Sequence, residues 1–137
     1  MIKHIILSDG SEKWYRDDKL HNIDGPAFVY ADGSEVWKQN DEYHRVDGPA
    51  ILYPEGMEFW YQKNKYHRLD GPAFLDSDGS EYWLQNSKYH RIDRPAIVNS
   101  NGSEGWYKKG ELHRKYGPAL INESGIEYWY KHGEKVK

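Results

Sequence analysis

Five histidines, His21, His44, His67, His90 and His113, follow one another at intervals of 23 residues, with no insertion or deletion between them. Each lies in a recurring octet: "LHNIDGPA" from residue 20, "YHRVDGPA" from 43, "YHRLDGPA" from 66, "YHRIDRPA" from 89 and "LHRKYGPA" from 112. A second element keeps the same period. Asp9 to Trp14, "DGSEKW", returns at 32–37, 55–60, 78–83, 101–106 and 124–129, so that all six tryptophans occupy one repeat position. Glu12, Glu35, Glu58, Glu81, Glu104 and Glu127 occupy another. A strict period of roughly 20 to 50 residues is the mark of a repeat architecture, in which each unit is stabilised by its neighbours.

The unit reads as β. Ser34 to Gln39 alternates Glu35 and Trp37 with Val36 and Lys38, the period of two of a strand. Asn40-Asp41 follows, and the equivalent pairs are Asp17-Asp18, Lys63-Asn64, Asn86-Ser87, Lys109-Gly110 and His132-Gly133. Most of these residue types tolerate positive φ, which predicts a tight hairpin turn at each pair. A second strand then carries Tyr43-His44-Arg45, and the Asp47-Gly48-Pro49 step predicts a kink before the extended run "AILY". No window keeps helical spacing. The expected fold is all-β, a single-layer antiparallel meander or ribbon of stacked hairpin repeats. Its units are 9–31, 32–54, 55–77, 78–100 and 101–123, with a capping half-unit at 1–8 and a capping hairpin at 124–137, all in one repeat domain.

Composition matters here because a mean hydropathy of −1.02 and 30% charged residues would otherwise suggest disorder. Twelve Tyr, six Trp and three Phe, placed periodically, point instead to a thin fold that packs flat rings. The net charge of −3 comes from interspersed acids and bases and offers no field for nucleic acid or anionic membrane. There is no cysteine, so disulfides and thiolate metal sites are excluded. The apolar run near the start is four residues long, short for a signal-peptide core, and no stretch approaches the roughly 20 apolar residues of a membrane span. The expectation is a cytoplasmic protein, in the host cytoplasm if the chain is viral.

A 23-residue unit of the form W-x-x-N/G-x-x-x-H-x-x-x-G, made of a hairpin and a short loop, resembles the MORN repeat over nearly the whole chain. The chain differs in carrying Arg45, Arg68, Arg91 and Arg114 where MORN units usually have glycine after the histidine, and in its regular D-G-P-A step. The "HRxDGPA" form is similar to repeats in bacterial, phage and large-virus proteins. The resemblance implies a β-ribbon used for interaction, with protein scaffolding or lipid binding as its associated roles.

Rows of identical residues argue against chemistry. Equivalent histidines recur about 10 to 14 Å apart in such a ribbon, too far to converge on a metal, so the expected roles are stacking on Trp and bonding to backbone or Asp. The Glu and Asp rows could supply paired carboxylates to a hydrolase, but near-identical environments do not separate two pKa values, and pairing among Glu35, Arg45 and Asp47 is the expectation. The Trp row is expected in the core; exposed, it would be a platform for glycans or bases. The opposite face carries Lys13, Val36, Phe59, Tyr82, Gly105 and Tyr128, then Tyr15, Lys38, Tyr61, Leu84, Tyr107 and Tyr130, an irregular aromatic stripe suited to protein recognition. A one-layer sheet leaves one face uncovered, which calls for a protein partner or a homodimer.

These readings converge on a non-catalytic protein-interaction module without cofactor or metal. A narrower form is a phage- or mobile-element-encoded inhibitor of a host defence protein, and the alternatives are a glycan- or lipid-binding module or a hydrolase using one Glu/Asp/His set. The array breaks down most in its fourth and fifth units, at Arg94, Gly105 and Lys115-Tyr116. Arg94 and Tyr116 are therefore the first partner-binding candidates, expected together on one edge, with Tyr61, Tyr82 and Tyr107 as the second set.

Overall fold

A computed structural model describes residues 1–137 and contains strands, turns and bends but no helix. The first strand, Lys3–Ile6, pairs with Glu12–Arg16. From there a sheet runs on through Phe28–Val29, Glu35–Val36, Ile51–Leu52, Glu58–Phe59, Phe74–Leu75, Glu81–Tyr82, Ile97–Val98, Glu104–Gly105, Leu120–Ile121 and Glu127–Tyr128, antiparallel at every step. The meander expected from the repeats is thus the observed architecture.

One feature differs in detail from the sequence reading. The strand expected over residues 34–39 is interrupted at Trp37: Glu35–Val36 belongs to the long sheet, whereas Lys38–Gln39 pairs with Glu42–Tyr43 in a separate hairpin. The tryptophan backbone turns the corner, its N–H donating to Ala50 O at 2.6 Å and its carbonyl accepting from His44 N–H at 3.1 Å. Only the first unit, Glu12–Arg16, runs through unbroken, and its far end pairs with Lys19–Leu20. The molecule therefore has two rows: a long sheet, and a line of short hairpins joined to it along the Trp positions.

Both turn families follow from their residues. Asn40-Asp41 has φ of 51° and 67°, Lys63-Asn64 49° and 66°, and the other pairs match, so these are two-residue turns with both central residues left-handed. At the other end of the sheet, Gly33 has φ 92° and closes a loop in which Tyr30 N–H donates to Ser34 O, while Asp32 Oδ1 accepts the Ser34 N–H at 2.8 Å. That pattern is a type I turn followed by a left-handed bulge residue, the usual three-residue hairpin loop.

The core is not tryptophan, as the sequence suggested, but alanine. Ala27, Ala50, Ala73, Ala96 and Ala119 are 0% exposed, while every Trp is half-buried. The alanines lie where the two rows meet, each bonded through both its N–H and its C=O to neighbouring strands, as when Ala50 N–H donates to Phe59 O at 2.8 Å. A methyl is what that backbone approach admits.

Candidate functional site

The polar residues of the repeated motifs are engaged in the repeat itself. Each histidine of the row points its Nδ1 at the next unit: His21, His44, His67, His90 and His113 accept the turn N–H of Asn40, Lys63, Asn86, Lys109 and His132 at 3.0 to 3.1 Å. Accepting at Nδ1 places the proton of a neutral ring on Nε2. The expected bond to backbone is present, but the expected stacking on Trp is made by arginine instead. Arg45, Arg68, Arg91 and Arg114 lie 3.6 to 3.8 Å from the centroids of Trp37, Trp60, Trp83 and Trp106. Lys137 covers Trp129, and only Trp14, whose unit has Asn22 in place of Arg, is stacked by a histidine, His4.

The arginine is held on its other side as well. Its Nη1 donates to the proline carbonyl four residues on, for example Arg45 to Pro49 O at 3.2 Å, and its Nε donates to the bend aspartate in two units, Arg45 to Asp47 at 3.4 Å and Arg68 to Asp70 at 3.3 Å. The glutamate expected in that pairing serves the indole instead: the Nε1–H groups of Trp37, Trp60 and Trp83 donate to Glu35, Glu58 and Glu81 at 3.0 to 3.3 Å. With a guanidinium on the face and a carboxylate at the nitrogen, Trp37, Trp60 and Trp83 offer no open platform for sugars or bases. No group of three His, Asp or Glu side chains is arranged to hold a metal.

The stripe opposite Trp is continuous. Register sets Phe28, Val36, Ile51, Phe59, Phe74, Tyr82 and Ile97 side by side across the long sheet. Phe59 stacks on Phe74 at 4.6 Å, Phe74 on Tyr82 at 5.0 Å, and Phe59 reaches Tyr66 of the hairpin row at 6.4 Å. Of the second candidate set, Tyr61 stacks on Tyr66, Tyr82 donates its hydroxyl to Asn99 Oδ1 at 3.0 Å, and Tyr107 lies against Tyr89. Burial raises all three phenols above the ordinary tyrosine range; neighbouring tyrosines add to the shift at Tyr61 and Tyr107, and the Asp76 carboxylate adds to it at Tyr82. These tyrosines are half-buried packing residues.

What stands free is a row that the sequence reading passed over. Ile23, Val46, Leu69 and Ile92, the variable residue of the H-R-x-D-G-P motif, are 62% to 72% exposed on four successive bend loops. Four aliphatic side chains at one motif position, in a segment otherwise occupied by Asp, Gly and Pro, was the available signal. In the fifth loop Lys115 takes this place and Tyr116, 79% exposed, follows it. Between these loops lie grooves. One of about 290 Å³ is bounded by Leu69 and Ile92 and includes Arg94. A larger one of about 470 Å³ separates Arg91–Asp93 from Arg114–Tyr116, with Trp106 and Tyr107 also in its lining. Arg94 and Tyr116 thus belong to adjacent grooves that share Arg91, Ile92 and Asp93.

Fold and site together define an all-β hairpin-repeat protein with an exposed, regularly spaced row of apolar loop residues. Compared with protein-family models and with curated proteins, the chain matches none.

Proposed function

We propose that this chain is a non-catalytic, MORN-like protein-interaction module that binds a protein partner along the edge formed by its bend loops. The observation that carries this reading is the row Ile23, Val46, Leu69 and Ile92, 62% to 72% exposed on bend loops, in three of which the motif arginine is bonded to the proline carbonyl. One unit advances two strands, so the row presents an apolar side chain about every 10 Å. Exposed aliphatics in line, with grooves between them, suit a protein surface better than a small substrate. Inhibition of a host defence protein is one case of this reading, decided by the partner's identity.

The test is capture from the native cell by the wild type and by a Val46→Asp/Leu69→Asp/Ile92→Asp variant. The three side chains are exposed, so stability should move by no more than about 0.5 kcal/mol each. Loss of a specific associated protein from the variant is the expected result. Equal recovery of every associated protein by both forms would remove this edge as the binding surface.

A further inference from the structure

The larger groove differs from its counterparts in charge. It is lined by Arg91, Lys108, Arg114 and Lys115 against a single carboxylate, Asp93, in a chain whose net charge is −3. Two of these cations have lost the internal acid that their equivalents keep. Arg45 and Arg68 donate Nε to Asp47 and Asp70, whereas Arg91 and Arg114 retain only the bonds to Pro95 O and Pro118 O.

The cause is local and legible. A Cβ at Gly48 or Gly71 would fall 2.4 to 2.8 Å from the guanidinium of Arg45 or Arg68, so a side chain at this position requires the guanidinium or the loop to shift. Arg94 occupies the position in the fourth loop, and Asp93 takes φ 64°, outside the conformation that places its equivalents on Arg. In the fifth loop the aspartate is replaced outright by Tyr116. A third group is also unserved: Trp106, part of the same lining, has a buried Nε1–H with no acceptor, where Trp37, Trp60 and Trp83 have their glutamates.

We propose that the groove between the fourth and fifth bend loops receives a carboxylate-rich peptide segment of a partner protein, whose acidic side chains take on Arg91 and Arg114 the place that Asp47 and Asp70 hold on Arg45 and Arg68. This rests on the interaction-module reading and gives that module's partner a chemistry. A planar guanidinium presents a fork matched to carboxylate, and it is already ordered by the indole beneath it, so little freedom is lost on binding. Ile92 and Tyr116, exposed beside the cations, suit apolar residues in the same segment. A nucleic acid fits less well, since the acids spread over the rest of the surface would repel its continuous charge.

The experiment is a fluorescence-anisotropy titration of the full chain with fluorescein-labelled hexaglutamate at low salt, beside a labelled hexauridylate. Indole N–H resonances are followed by NMR with unlabelled peptide. Hexaglutamate should bind and should shift the Trp106 and Trp83 indole signals while leaving those of Trp14 and Trp37 in place. Arg94→Gly/Tyr116→Asp, which restores both internal acids and keeps the fold by restoring the common loop, should weaken binding at least tenfold. Lys19→Glu makes the same two-unit change in net charge in the first hairpin and should alter it less than twofold. Absence of binding, an equal loss with Lys19→Glu, or tighter binding of hexauridylate with the same sensitivity would each overturn the proposal. If hexaglutamate fails while capture still depends on Val46, Leu69 and Ile92, the acidic site falls and the interaction module stands.

Discussion

Gly48 and Gly71 are small because of what lies above them, not because of their backbone. Neither has a positive φ, but a methyl at Gly71 would meet Arg68 Cζ at 2.4 Å, and Arg68 is pinned between that glycine and Trp60. Gly25 occupies the same motif position in the first unit, where Asn22 replaces Arg and the nearest atom is at 3.4 Å. Gly71→Ala should therefore cost about 1 to 3 kcal/mol as an overpacked site, and Gly25→Ala less than about 1 kcal/mol. Thermal melts of the two variants check this, and Gly71→Ala should also alter the near-UV signal of the displaced Trp–Arg stack. Ala73 is the companion case. Fully buried where the rows meet, it should tolerate Ser but lose about 1 to 3 kcal/mol on substitution by Val.

Hairpins of the second row are fastened to one another by side chains as well as backbone. Each histidine accepts the turn N–H of the following hairpin, and Asp41, Asn64 and Ser87 accept the N–H of Leu20, Tyr43 and Tyr66 in the preceding one. A protonated Nδ1 cannot accept, so protonation of His21 and His113 opens their bonds to the Asn40 and His132 N–H groups. Burial holds His21 and His113 below the ordinary 6.5, with the charge of Arg16 adding at His21, and His132, Lys108 and Lys131 adding at His113, where Glu111 opposes. A depressed folded value means that the unfolded chain takes up the proton first. The stabilisation is complete above pH 6.5 and is lost as pH falls through the folded values. The melting temperature should be level from pH 8 to about 7 and decline below about 6.5, and the protection of the Asn40 and His132 amides, taken against their intrinsic exchange rates, should fall in the same window. A second decline should begin below about pH 4, where the unfolded chain starts to protonate Asp9, Asp32 and Asp78, and continue as pH falls through the folded values; hydrogen bonds from Ser11, Ser34 and Ser80 hold these carboxylates below their ordinary value in the fold. A melting temperature unchanged between pH 7 and pH 5 would show that protonation of His21 and His113 does not destabilise the fold.

At the scale of the molecule, the long sheet spans eleven strand intervals at roughly 4.8 Å, an extent of about 53 Å before twist is counted. Its accessible surface of 8475 Å² exceeds the about 7,500 Å² of a compact chain of 16.2 kDa, and only 13 of 137 residues are buried, so the stability is spread over inter-unit contacts instead of held in one centre. Solution scattering should give a radius of gyration above about 16 Å, against about 14 Å for a globular protein of this length. A value at the globular figure would mean that the ribbon folds back on itself or that its twist closes it. The extended form also suits the proposed role, since it sets loops of equal shape along one edge where a partner can meet several at once.

The 23-residue period by itself determined the all-β class, the repeated hairpins and their two-residue turns, because turn geometry depends on local residue types: Asn, Asp and Gly at left-handed positions act through their own backbone preferences. It also located the irregular fourth and fifth units. The tertiary structure decided which side chain meets which. Strand alternation places Trp37 and Glu35 on one face, yet it cannot state that the chain breaks at Trp37, that Arg45 folds back over the indole, or that His44 reaches a turn 19 residues away. Those contacts depend on how adjacent units and the two rows are offset from one another, which strand alternation does not encode. The vacancy beside Arg91 and Arg114 is of this kind. Arg94 and Tyr116 stand out as departures in the sequence, but that they take a carboxylate away from a guanidinium follows only once the loop has brought Arg, Asp and Gly into contact.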